Sequence, residues 1–128
     1  MKIVITGSSG FIGYHFADEL LKKKYKVIGI DNHNNYYSST IKKKRLNKLK
    51  KNKNFQFYKL NLVNEKSLEK IFIKHQPDVI FHLAGQPGVL YSLKYPKTYL
   101  INNVNATKSI CKISKKHNVK KFIFGSSS

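Results

Sequence analysis

The stretch "TGSSGFIG", residues 6–13, limits the possible folds of this chain more than any other. It follows the short apolar run Ile3-Val4-Ile5 and precedes a segment where Ile12, Phe16 and Leu20 recur every four residues. An unbroken apolar run of that length suits a strand buried on both faces, as in parallel sheets. The recurrence, joined by Ala17 and Leu21, predicts an amphipathic helix over 11–21. Lys22, Lys23 and Lys24 then place positive charge at the negative end of its dipole. Gly7, Gly10 and Gly13 therefore stand in a strand-to-helix turn. The first permits a tight reversal, the second lets backbone approach a ligand without a Cβ in the way, and the third lets the helix lie close to the sheet.

The rest of the chain repeats this alternation. "YKVIGI" (25–30) reads as a second strand ending at Asp31, followed by the polar "DNHNNYYSS" and a basic stretch over 41–53. Within that stretch Ile41, Leu46 and Leu49 offer a thin apolar stripe to a lysine-rich helix. "FQFY" (55–58) reads as a third strand, and Leu68, Ile71 and Phe72 mark a helix that Pro77 closes. "DVIFHLA" (78–84) is a fourth strand, and a long helical segment over about 98–117 leads into a fifth, "KFIF". Strands and helices alternating at this spacing, without a long linker or a repeat, predict an α/β fold with a doubly wound parallel sheet.

A glycine turn opening a helix exposes unpaired N–H groups and the positive dipole end, which together receive a pyrophosphate. Asp31 lies 24 residues after Gly7 at the end of the second strand, where a carboxylate can accept hydrogen bonds from both adenosine ribose hydroxyls. It would repel a 2′-phosphate, so NAD is expected rather than NADP. Asn32 and Asn35 add contacts on the same rim. No Gly-Lys-Ser or Gly-Lys-Thr triplet is present, which counts against a nucleotide-hydrolysing loop. Ligands bind above the carboxyl ends of parallel strands, so Asn61, Ala84, Gly85 and Gln86 are expected to line the groove. His82, one position inside the fourth strand, reads as a satisfied core histidine rather than a catalytic one. No histidine has acidic neighbours at metal-ligating spacing, so no metal is expected.

The net charge of +19 raises a rival reading, a nucleic-acid or polyanion-binding module built on 41–53. Arg45 is the single arginine among 25 basic residues, however, and base reading and bidentate phosphate clamps favour arginine. Compositional drift of a tolerant surface explains the lysines more simply, and nucleic acid is disfavoured as a partner. Cys111 is alone, which excludes an intrachain disulfide, and it reads as a small buried hydrophobe. No signal peptide and no run of 18 apolar residues is seen, so a cytoplasmic protein without a membrane partner is expected.

"TGSSGFIG" with Asp31, "DNHNNYY", "VIFHLAGQPGVLYSL", "INNVNAT" and "FIFGSSS" together resemble one family across all 128 residues. It is the NAD-dependent sugar-nucleotide epimerase/dehydratase group of extended short-chain dehydrogenases. "DNHNNYYSSTIKKKRLNKL" and "AGQPGVLYSLKYPKTY" point more narrowly to UDP-glucuronate 4-epimerases. The resemblance implies a Rossmann sheet, here truncated after the fifth strand, with residues 1–128 an incomplete NAD-binding domain and the C-terminal substrate-binding domain absent. It implies that Gly7, Gly10, Phe11, Ile12 and Gly13 hold the pyrophosphate and that Asp31, Asn32 and Asn35 hold the ribose. Asn61 and Leu62 would approach adenine, with Ala84, Gly85 and Gln86 beneath the nicotinamide riboside. Asn102 would stand near the cofactor with Asn103 as its structural neighbour, and Ser127 would bond the sugar 4-oxygen. Leu60-Asn61 replaces the family's Gly-Asp, and Pro87 and Leu90 replace an Ala and an Arg.

The resembled reaction is epimerisation at C4 of a nucleotide sugar, of UDP-glucuronate or UDP-glucose type, through a 4-keto intermediate. It uses a tyrosine base with a lysine four residues later. None of the eight tyrosines here has that lysine. The pair is expected beyond Ser128, and the 128-residue chain is expected to be inactive alone. A nucleotide-sugar 4,6-dehydratase is the alternative within the group, and a homodimer is left open for the full-length protein.

Overall fold

The structure is a computed structural model that describes residues 1–36 and 38–126. Five strands, β1 (Lys2–Thr6), β2 (Lys26–Asp31), β3 (Phe55–Lys59), β4 (Val79–His82) and β5 (Lys121–Phe124), form one sheet in the order β3-β2-β1-β4-β5. Every neighbouring pair is parallel. The helices are α1 (Phe11–Lys22), α2 (Ser39–Lys50), α3 (Glu65–His75), α4 (Val89–Lys94), α5 (Pro96–Tyr99) and α6 (Ala106–Lys116). The strand order reverses at β1, between β2 and β4. That is the switch point where a doubly wound sheet opens a crevice.

Alternate side chains of β1 feed two cores. Ile3 and Ile5 pack with Tyr14, Ala17 and Leu21 of α1 and Leu46 and Leu49 of α2. Val4 packs on the other face with Leu68, Ile71 and Phe72 of α3 and Ala106, Ile110 and Ile113 of α6. The unbroken apolar run in β1 thus supplies both layers.

Three expectations need correction. Ile41 does not join the stripe on α2, being 45% exposed, whereas Lys42 is only 5% exposed and turns inward. Cys111 is exposed, because α6 directs Ser109, Ile110, Ile113 and Ser114 to the interior. The fourth strand stops at His82 rather than 84. There the N–H groups of Leu83 and Ala84 both donate to Thr6 Oγ1, each at 3.1 Å.

The long helix expected before β5 is broken up. A π-helical turn, Leu100–Asn105, separates α5 from α6. The wider turn brings Asn103 against the loop after β4, where Asn103 Oδ1 accepts from Gln86 N at 2.6 Å. Irregular helical turns of this kind recur at functional sites.

Candidate functional site

The loop after β1 is held by its backbone. Gly7 has φ +72°, and its N–H donates to Ile30 O at 2.7 Å. A Cβ at Gly7 would meet Ala84 Cα and N at 2.9 Å, so only glycine lets β1 and the loop after β4 approach this closely. The α1 helix starts after Gly10 with no side-chain cap and no acidic residue in its first turn. Its first N–H groups are therefore available to an anion.

A cleft opens above this end of the sheet. Its walls include Gly7, Gly10, Asp31, Asn32, Asn61, Leu62, Ala84, Gly85, Gln86 and Asn102, ten of the fourteen residues expected at a cofactor. Phe11 and Ile12 extend their side chains outward, at 66% and 67% exposure, leaving only their backbone near the loop. Gly13 is buried behind the loop and closes its packing. Asn35 is exposed and does not line the cleft; its neighbour Asn34 does. Ser127 lies outside the described residues.

Asp31 is buried in the wall, and each carboxylate oxygen already accepts one backbone N–H: Oδ2 from Ser9 at 3.0 Å and Oδ1 from His33 at 2.8 Å. A carboxylate has about four lone-pair positions, so each oxygen keeps one for a ligand. Asn32 turns its Oδ1 to the Asn34 N–H, at 3.1 Å, and so shapes the loop. His33 has φ +53°, and its ring lies 2.7 Å from Ser9 Oγ. Burial lowers its pKa, an effect opposed by the charge of Asp31.

The basic helix contributes inward. Lys42 Nζ donates to Asn34 O at 3.1 Å and to Asn34 Oδ1 at 2.9 Å. Arg45 donates to Ser9 O at 3.3 Å and lies over the Phe11 ring. Burial lowers the pKa of Lys42 while Asp31 raises it. Sequence reasoning missed Lys42, Asn34 and Tyr36 as wall residues, because a lysine run and an Asn-rich loop give no period that separates inward from outward positions.

His82 is fully buried, between Thr6 Oγ1 at 2.7 Å and Thr107 Oγ1 at 2.8 Å, and desolvation lowers its pKa to about 4. It is a neutral core histidine tying β1 to α6. Among the described residues no three His, Cys, Asp or Glu side chains gather to hold a metal. Among them, too, no helix is long and apolar enough to cross a membrane.

Comparison with known proteins gives a consistent relationship. Protein CapI of Staphylococcus aureus is 44% identical over 128 residues, all of this chain and 38% of that protein. A UDP-glucuronate 4-epimerase of Thermodesulfobacterium geofontis is 38% identical, over 98% of this chain and 39% of that protein. Among solved structures, a UDP-glucuronic acid 4-epimerase from Bacillus cereus with UDP-glucuronic acid and NAD superposes with a TM-score of 0.90 at 36% identity. It matches all of this chain and 40% of its own length. A UDP-glucose 4-epimerase from Thermotoga maritima with UDP-glucose gives 0.86 at 35% identity, over 99% of this chain and 38% of that one. The chain thus spans about two fifths of the relatives it matches. The family model named NAD dependent epimerase/dehydratase family matches residues 3–128, and the chain belongs to that family.

Proposed function

We propose that residues 1–128 form the NAD-binding part of a nucleotide-sugar 4-epimerase acting on a UDP-glucuronate or UDP-glucose type substrate. The observation that carries this reading is the uncapped start of α1, opening beside Gly7 and Gly10 into a cleft that has the Asp31 carboxylate on its wall. NAD, when bound, supplies the acceptor and donor of the sugar C4 hydride. The chain's own residues hold it: backbone N–H groups of the glycine loop and early α1 on the pyrophosphate, Asp31 on the adenosine ribose, and Asn61 and Leu62 beside adenine. Ala84, Gly85, Gln86 and Asn102 take the nicotinamide side. Ser127 is assigned to the sugar 4-oxygen.

The tyrosine base, its lysine and the sugar-binding domain belong, in this reading, to further polypeptide. Val89, Leu90 and Leu93, at 81%, 80% and 76% exposure, suit a surface that such polypeptide covers. Within the basic stretch, Lys42 is engaged by Asn34 and Arg45 by the Ser9 carbonyl.

Titration with NADH, followed by its fluorescence at about 0.15 M salt, tests the reading. Weak saturable binding, lost on Asp31→Ala, is expected. A coupled assay on UDP-glucuronate and UDP-glucose should detect no turnover by the 128-residue chain. Absence of saturable NADH binding, or turnover by the chain alone, overturns it.

A further inference from the structure

Gln86 is 5% exposed, lines the cleft, and has its side-chain Nε2 buried without a hydrogen-bond partner among the described residues. A buried amide N–H₂ without an acceptor is costly, which marks the group as waiting for one. Its other contacts are fixed. The backbone of Gln86 is gripped by Asn103, whose Oδ1 accepts from Gln86 N at 2.6 Å and whose Nδ2 donates to Gln86 O at 3.1 Å. The side-chain Oε1 accepts from Asn34 Nδ2 at 2.8 Å.

The direction of this last bond has a chemical cause. An amide can turn over and exchange its donor for its acceptor at little steric cost, so two facing amides have two arrangements. Lys42 removes that freedom. Its ammonium is donor-only and reaches Asn34 Oδ1 at 2.9 Å. The oxygen of Asn34 must therefore face Lys42 and its nitrogen must face Gln86. Gln86 then turns its oxygen to Asn34, and its nitrogen is left buried without an acceptor.

We infer that Lys42 and Asn34 are positioning residues that set the polarity of the Gln86 amide, so that Nε2 donates a hydrogen bond to an acceptor oxygen of the bound dinucleotide. This rests on the proposed cofactor role of the cleft. The relay runs from α2, through the loop after β2, to the loop after β4, and so links both sides of the switch point. Tyr99 stands beside the Gln86 amide, yet its hydroxyl donates to Pro87 O and Gly88 O at 2.6 and 2.7 Å.

The test follows the ¹⁵N-labelled chain by NMR, with the side-chain amide of Gln86 assigned, alone and during titration with NAD. Lys42→Arg keeps a donor-only cation. Lys42→Met removes it at similar size, and Asn34→Asp keeps the acceptor toward Lys42 but cannot donate to Gln86. In the wild type the Gln86 amide should give one set of signals that moves on NAD addition. Lys42→Met should give two orientations or exchange broadening and weaken NAD by about tenfold, the scale of one hydrogen bond. Asn34→Asp should reverse the amide and weaken NAD at least as much, while Lys42→Arg should restore wild-type signals and affinity. Backbone amide dispersion identifies any variant that has unfolded, and the remaining variant then decides. NAD binding that is unchanged in Lys42→Met and Asn34→Asp, or lost equally in Lys42→Met and Lys42→Arg, overturns the relay alone. No saturable shift in the wild type overturns the cofactor reading and the relay with it.

Discussion

The Cβ that Gly13 lacks would fall against the carbonyl oxygen of Gly7, the same atom that accepts the Gly10 N–H at 3.0 Å. The glycine at 13 therefore brings α1 onto the loop, and the loop onto the ends of β1 and β4. Replacing an interior helical glycine by alanine ordinarily gains roughly 0.5–1 kcal/mol. Here the added methyl meets backbone that has no side-chain freedom to yield, and overpacking of that kind costs about 1–3 kcal/mol. Gly13→Ala should therefore lower the urea midpoint, corresponding to a net loss of about 1–2 kcal/mol. A midpoint equal to or above wild type contradicts the close approach. Gly10, with φ −68° and ψ 172°, has backbone that any residue adopts. Gly10→Ala should weaken NADH binding while leaving stability within about 0.5 kcal/mol.

The buried His82 makes stability depend on pH. Its pKa falls from the ordinary 6.5 to about 4 on folding, because desolvation disfavours the charged ring. The unfolded chain thus binds the extra proton between those values, and stability rises with pH across that window. The contribution is complete above pH 6.5 and lost as pH falls to about 4, a change on the order of 3 kcal/mol. Urea unfolding at a series of pH values should show that slope in wild type and a smaller one in His82→Gln. Equal slopes would mean that the ring is not kept neutral by burial.

The sheet, its five strands and the glycine turn were legible because period and punctuation change together at each boundary. Ile3-Val4-Ile5 is apolar at every position, and the recurrence of Ile12, Phe16 and Leu20 begins directly after Gly10. What the linear pattern hid lies in contacts between distant segments. At the early end of β4, a threonine hydroxyl 77 and 78 residues away takes two N–H groups. Asn34 rather than Asn35 enters the cleft because an amide on the loop after β4 pairs with it. The packing of Gly29 against Phe55 and Ser8 was equally invisible, since a glycine within a strand gives no sign of what fills its space.

The α2 helix tests how far pattern alone can be trusted. Three apolar residues suggested one stripe, yet Leu49 is 2% exposed and Leu46 7%, whereas Ile41 is 45% exposed and Lys42 occupies the inward place at that end. Leu49→Ala should cost about 2–5 kcal/mol through lost transfer energy and the cavity left behind. Ile41→Ala should stay within about 0.5 kcal/mol, as expected for a surface position. Chemical denaturation of the two variants side by side distinguishes them. Equal losses would mean that the helix is rotated from the orientation described.

The neighbours of Cys111 in the sequence predict a buried apolar residue, but Ile110 and Ile113 take the inward positions of α6 and leave the thiol exposed. Helical spacing places Lys108 and Lys115 at i−3 and i+4 from it, both exposed. A small anionic disulfide reagent should therefore modify the native chain within about tenfold of its rate on the urea-unfolded chain. The surrounding positive charge attracts that reagent, so added salt should slow the native reaction. Absorbance of the released thiolate follows both rates. Modification only at the rate of global unfolding would place the thiol in the core, and an absence of salt dependence would remove the two lysines from its surroundings.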